Sequence, residues 1–286
     1  MTEPGYVHPA APGWWERTNS IGTAENEVTV QSSASGVRAP MYYRKKMRPA
    51  SPRVGPMALR YSKKSWRVSG VWGGRPPNVE GVGTGNKGAQ SISWSDTVPA
   101  AANFAVIWAS NMSTLTNPSI TAVSIGGSSC TQVSGSPYYY TFDGTYYYHI
   151  HCFILANPPT GASKTVTVTK SAEGGNLSAS AIYLSNVSSY GSLTTTSGVS
   201  PTNASLTVPG TDGRRLYTQA FSYRATGSNT FSAYNQTQRY LATAASFTEP
   251  LLIGDASGNG GDLTFTATRS ETTYSWGGAA LPLLPA

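Results

Sequence analysis

The sequence predicts an all-β protein: an antiparallel two-sheet jelly-roll-like sandwich preceded by an extended basic N-terminal arm. Three observations carry this. Of the 286 residues only 12% are charged, and 30 Gly and 19 Pro accompany an excess of Ser and Thr, a composition poor in helix formers and rich in turn formers and β-branched residues. From residue 89 onward short alternating or apolar runs follow one another without a helical period. The charge is also lopsided: residues 1–87 hold thirteen Lys/Arg against five Asp/Glu, whereas residues 88–286 hold seven against eight.

The arm, residues 1–75, comes first. Between Arg38 and Arg75 there are eleven basic residues and no acidic one. Prolines at 40, 49, 52 and 56 break any helix, and apolar residues are too sparse for a core. The basic and aromatic residues Arg38, Tyr42, Tyr43, Arg44, Lys45, Lys46, Arg48, Arg53, Arg60, Lys63, Lys64, Trp66 and Arg67 are the candidate attachment set. A segment of this composition does not order itself, so it predicts attachment to other chains of an assembly. Its cations and rings suit phosphates and bases as well, but an acidic protein surface is the favoured partner and nucleic acid is not expected. The first twenty residues lack the basic n-region and apolar run of a signal peptide, and no stretch approaches the ~18 apolar residues of a membrane helix. A cytoplasmically made product with no membrane segment is the expectation. Its two cysteines, Cys130 and Cys152, are then expected as free thiols rather than a disulfide.

Residues 76–88, PPNVEGVGTGNKG, read as a Pro/Gly linker. Gly83-x-Gly85-x-x-Gly88 matches a dinucleotide fingerprint by letters only, since no strand precedes it and no helix follows, and no cofactor is expected. The domain then runs over 89–286. SISWSDTV alternates; NFAVIWAS is a continuous apolar run; ITAVSIGG and CTQVS pair near Gly126-Gly127. YYYHIHCFILA is a long strand, KTVTVTK alternates strictly, and LSASAIYLSNV follows. ASLTVPG, RRLYTQAFSY, TQRYLATAASF, LTFTATR and YSWGGAALPLL complete the series. A dozen strands with no helix must cover each apolar face with another sheet, hence the sandwich.

The order SISWSDTVPAAANFAVIWAS, ITAVSIGGSSCTQV, HCFILANPPTGASKTVTVTKS, LSASAIYLSNVSSYGSLTTTSGVSPTNASLTVPG, QTQRY and WGGAALPLLPA resembles the β-sandwich modules at the C-terminal ends of minor tail proteins of phages infecting actinobacteria, which also occur in some bacterial surface proteins. The resemblance covers about residues 89–286 and leaves the arm out. It implies a jelly-roll-like module similar to carbohydrate-binding modules, placed on a virion surface and free of catalytic residues. It implies other virion proteins, tail or capsid, as partners in a multi-copy particle, with a host cell-wall glycan as an alternative ligand.

The candidate contact surface is SPYYYTFDGTYYYHIHCF, residues 136–153. Asp143-Gly144 signals a two-residue type I′ hairpin. That register faces Phe142 with Thr145 and Tyr138 with His149. Alternation then groups Tyr138, Tyr140, Phe142, Tyr147, His149, His151 and Phe153 on one face, expected outward, opposite a core face of Tyr139, Tyr146, Tyr148, Ile150, Cys152 and Ile154; Tyr138, Tyr140, Tyr147, His149 and His151 are the candidate contact residues. Two imidazoles at i, i+2 could begin a zinc site, but the chain's remaining histidine is His8 and no third ligand is in view, so no metal is expected. Tyrosine faces suit sugar stacking or protein contact. In GDASGNGGD, Asp255, Asn259 and Asp262 fit no calcium repeat and read as a turn. No nucleophile elbow or selected carboxylate pair supports an enzyme. The sequence reading is a non-enzymatic virion protein, a minor tail protein held by its arm. The alternatives are a capsid decoration or minor capsid protein and a glycan-binding or wall-degrading factor.

Overall fold

The computed structural model describes residues 16–18, 27–30, 41–44, 74–88, 91–114, 120–171, 175–199, 202–225, 228–243 and 249–286. The chain divides into two units, Met1–Arg67 and Val68–Ala286. In the first, β1 (Glu16–Thr18), β2 (Glu27–Val30) and β3 (Met41–Arg44) form an antiparallel sheet in the order β1-β2-β3. Short paired strands therefore occur where the sequence suggested only an extended arm.

The second unit is all-β among its described residues. Its strands are β4 (Asn78–Val82), β5 (Asn86–Gly88), β6 (Ile92–Val98), β7 (Phe104–Ser113), β8 (Ile120–Ile125), β9 (Ser128–Ser129), β10 (Thr131–Gln132), β11 (Tyr138–Phe142), β12 (Tyr147–Ala156), β13 (Gly161–Lys170) and β14 (Leu177–Ser185). They continue as β15 (Val187–Tyr190), β16 (Thr194–Gly198), β17 (Ala204–Val208), β18 (Leu216–Tyr223), β19 (Phe231–Ser232), β20 (Thr237–Ala242), β21 (Leu251–Ser257), β22 (Leu263–Arg269) and β23 (Trp276–Pro285). The stretch expected as a linker supplies β4 and β5, which pair with the edge of β14.

The sandwich is built twice. One sheet runs β10/β11-β12-β7-β14-β4/β5 and faces a sheet β6-β13-β8-β9. Another runs β20-β21-β18-β23-β15/β16 and faces β17-β22-β19. These share one topology, with successive strands passing between sheets and even the broken edge strand repeated; β9 alone has no counterpart, and β20 stands where β10 and the start of β11 stand. The registers carry the match to residues. Leu184 pairs with Phe104 and Leu177 with Asn111; Leu283 pairs with Leu216 and Trp276 with Tyr223. On that frame TVTVTKSAEGGNLSASAIYLS (165–185) lies over TFTATRSETTYSWGGAALPLL (264–284) without a gap, and Ser110 corresponds to Ser222. Gly88 opposite Leu177 corresponds to Gly198 opposite Trp276.

Three cores stack the layers. Ile92, Trp94, Ile107, Val123, Val166 and Tyr183 fill the first sandwich, and Leu206, Phe221, Phe231, Phe265 and Trp276 fill the second. Between them Val106, Trp108, Ile150, Ile182, Ile253, Leu281 and Leu283 form a core shared by the two wide sheets. This explains the sequence pattern. β7, β14 and β18 are buried on both faces, their Ser, Thr and Gln residues included, whereas the outer strands β6 and β17 alternate buried and exposed residues.

Candidate functional site

The tyrosine-rich hairpin is β11 and β12, and its turn is longer than Asp143-Gly144 alone. Asp143 N–H donates to the Tyr146 carbonyl at 3.2 Å, and Asp143 Oδ1 accepts from the amides of Thr145 and Tyr146 at 2.9 and 2.8 Å. Gly144 takes φ 97°, a conformation that favours glycine. The carboxylate thus closes a four-residue connection as an Asx turn. Phe142 faces Tyr147, Thr141 faces Tyr148, and after a bulge Tyr139 faces His149 and Tyr138 faces Ile150. The two-residue register predicted from Asp-Gly is therefore corrected, because the side chain of Asp143 satisfies two amides farther along.

The bulge also changes which tyrosine faces where. Tyr140 turns toward Tyr148, with ring centroids 6.1 Å apart, and its hydroxyl donates to Ser222 Oγ at 3.3 Å. A Cβ on Gly277 would stand 2.5 Å from the Tyr140 ring, so the hairpin lies directly on the β23 backbone of the second sandwich. On the other face Phe142 stacks on Tyr147 at 4.4 Å, Tyr139 lies 5.7 Å from Tyr147 and 5.8 Å from His149, and His149 lies 5.9 Å from His151. His151 in turn lies parallel to Phe153 at 6.2 Å. This ladder begins in solvent, where Tyr139 is 46% and Phe142 44% exposed, and ends in the core.

His149 and His151 are 0% exposed, not outward-facing. Parity separates them from Tyr148, Ile150 and Cys152 as expected, but the wide sheet is buried on both faces, which a two-layer sandwich does not allow for. Neither ring nitrogen of His151 has a hydrogen-bond partner, and burial, helped by His149, pushes its pKa down to about 3. Tyr140 is buried too, while Tyr138 and Tyr147 are half-buried. The contact set predicted as Tyr138, Tyr140, Tyr147, His149 and His151 is thus dispersed. The exposed rings are Tyr139 and Phe142, backed by Tyr147. Alternation puts Phe142 outward, as it is, but a bulge placed between two equivalent tyrosines leaves no mark in the sequence, so alternation could not find Tyr139.

The tip is anchored by charge on its inner side. Asp143 Oδ2 accepts from the Tyr148 hydroxyl at 2.6 Å and pairs with Arg224 Nε at 3.2 Å, and the Arg224 guanidinium lies 4.1 Å over the Tyr274 ring. Burial works to raise the Asp143 pKa, but the Tyr148 hydroxyl, the two turn amides and Arg224 outweigh it and hold the carboxyl below its usual range.

Other sequence candidates are absorbed by the fold. Asp255 is paired with Arg239, Asn259 Oδ1 takes the Thr211 hydroxyl and the Gly261 amide, and Asp262 Oδ1 takes the Gly210 amide. Gly83 N–H donates to the Ala181 carbonyl, and Asp96 accepts from Trp94, Tyr183 and Thr84. Cys130 and Cys152 are free thiols packed on opposite faces of one sheet. Among the described residues no three His, Cys, Asp or Glu side chains gather as a metal site, and no helix is long and apolar enough to cross a membrane. Of the arm candidates, Tyr42, Tyr43 and Arg44 fall on β3; Arg38, Lys45, Lys46, Arg48, Arg53, Arg60, Lys63, Lys64, Trp66 and Arg67 lie outside the described residues.

Fold and site together define a class: an all-β, internally duplicated sandwich with an aromatic hairpin tip on its first copy. Beyond that class, no protein-family model, curated protein or solved structure matches the chain.

Proposed function

We propose that the protein is a non-enzymatic structural component of a bacteriophage virion, a minor tail protein attached through residues 1–75 that displays the stacked sandwiches outward. The observation that carries the contact surface is the pair of exposed rings, Tyr139 and Phe142, on a rigidly anchored tip. Leu251, the first residue of β21, corresponds to Ile150 and Ala242 to Tyr138, and between these positions the first copy has eleven residues (139–149) where the second has eight (243–250). Length added to one of two equivalent scaffolds is the natural place for a copy-specific contact. Stacked rings with phenol hydroxyls suit either a neighbouring virion protein or the sugar faces of a host wall glycan. The tail assignment rests on the likeness of residues 89–286 to tail modules.

Two variants of the particle test this. Removing residues 1–75 should abolish incorporation; particles that retain the shortened protein refute attachment by the arm. Tyr139→Ala/Phe142→Ala should leave folding and incorporation unchanged while lowering adsorption to host cells or isolated walls at least tenfold, and unchanged adsorption refutes the tip as the host contact.

A further inference from the structure

The tightest polar junction between the two sandwiches lies where equivalent residues meet. Ser110 on β7 and Ser222 on β18 are the same position of the two copies, and their Oγ atoms are 2.6 Å apart inside the shared core. Glu249 joins them: its Oε2 accepts from Ser110 Oγ and from Ser222 Oγ, the latter at 3.3 Å, and its carbonyl accepts from Ser178 Oγ at 3.3 Å. The Tyr140 hydroxyl completes the cluster by donating to Ser222. Glu249 is 2% exposed, and its Oε1 has no hydrogen-bond partner. A carboxylate held this way would leave half of its charge facing apolar side chains, whereas a carboxylic acid would not.

We infer that Glu249 is a proton-dependent clamp between the sandwiches: neutral, it ties Ser110 to Ser222 across the shared core, and ionised, it loosens the two copies from each other. The groups that face it from the packed elements fit this role. Tyr140 on β11 and Tyr148 on β12 face it as neutral phenols whose own ionisation burial and Glu249 oppose, and the cation that reaches it electrostatically is Lys170 on β13. Burial pushes the Glu249 carboxyl up to about 8, against the pull of Ser110, Ser222 and Lys170. The unfolded chain releases this proton near the ordinary carboxyl value of 4.5. Stability from the clamp is therefore complete below that value, falls as the pH rises, and is exhausted once the folded protein also ionises near 8.

The test compares urea unfolding of the intact protein and Glu249→Gln from about pH 5 to about pH 9. The unaltered protein should lose about tenfold in its folding constant per pH unit relative to the Gln variant, with the difference levelling above about pH 8. Parallel profiles overturn the clamp. Infrared spectra of the unaltered protein give a readout that needs no variant. A protonated carboxyl band at about pH 6.5, lost with a midpoint near 8 as amide protection in β7 and β18, corrected for the intrinsic exchange rate, falls, supports it. Absence of that band at pH 6.5, or its loss with protection unchanged, overturns it.

Discussion

His151 shows what a single buried position does in this fold. It stacks on Phe153 with both ring nitrogens unpartnered, and the matching position of the second sandwich holds Leu252, fully buried in its own core. An unpaired buried polar group costs about 1–3 kcal/mol, so His151→Leu should be at least as stable as the parent at neutral pH in urea unfolding. Its acid behaviour should differ as well. The folded-state value of about 3 lies below the ordinary 6.5, so the unfolded chain takes the proton first. Stability is intact above about pH 6.5 and falls by about 1.4 kcal/mol per unit toward 3. The Leu variant should lack that share of the acid slope, and equal slopes would show that His151 is not held neutral. Side-chain parity along β12 was legible in the sequence. The burial of both faces was not, because alternation says which residues share a face and nothing about what covers it.

At the scale of elements, β13 and β22 carry the clearest trace of the duplication. Each outer strand ends in a buried cation that closes the loop after it. Lys170 Nζ donates to the carbonyls of Met112 and Gly175 at 3.1 and 2.6 Å, while Arg269 donates to those of Thr202 and Tyr274, with Gly175 and Tyr274 at matching positions. Burial pulls the Lys170 pKa down to about 8. Lys170→Met should cost about 1–3 kcal/mol in urea unfolding by leaving those carbonyls without donors, and Lys170→Arg should recover much of it, as the second copy uses Arg. The hairpin makes a second prediction at this scale. Asp143→Ala removes the acceptor for two amides, the Tyr148 hydroxyl and Arg224 at once, so amide exchange across β11 should quicken while β7 stays protected. Strand positions and the reversal at Asp143-Gly144 were readable from residue types. TVTVTK followed twelve residues after its start by LSASAIYLS, and TFTATR followed likewise by WGGAALPLL, was the available sign of the repeat, but only Thr, Ser, Ala and Leu coincide. Those residues recur in any Ser/Thr-rich β-chain.

For the molecule as a whole, the shared core makes the two sandwiches one thermodynamic object. Ile253 and Leu281 belong to the second copy yet pack with Val106 and Ile150 of the first. Residues 68–286 should therefore unfold in one transition, and Leu281→Ala should cost about 2–5 kcal/mol and shift fluorescence and circular dichroism together; separate midpoints would show two independent domains. An N-terminal segment rich in uncompensated cations suits attachment, and the exposed rings of the hairpin suit contact. The most direct test of that account is immunogold labelling of phage particles with antibody raised against the Tyr138–Tyr148 hairpin. Gold confined to the tail is the predicted result. Labelling confined to the head contradicts the tail assignment, and particles without label contradict a displayed virion protein.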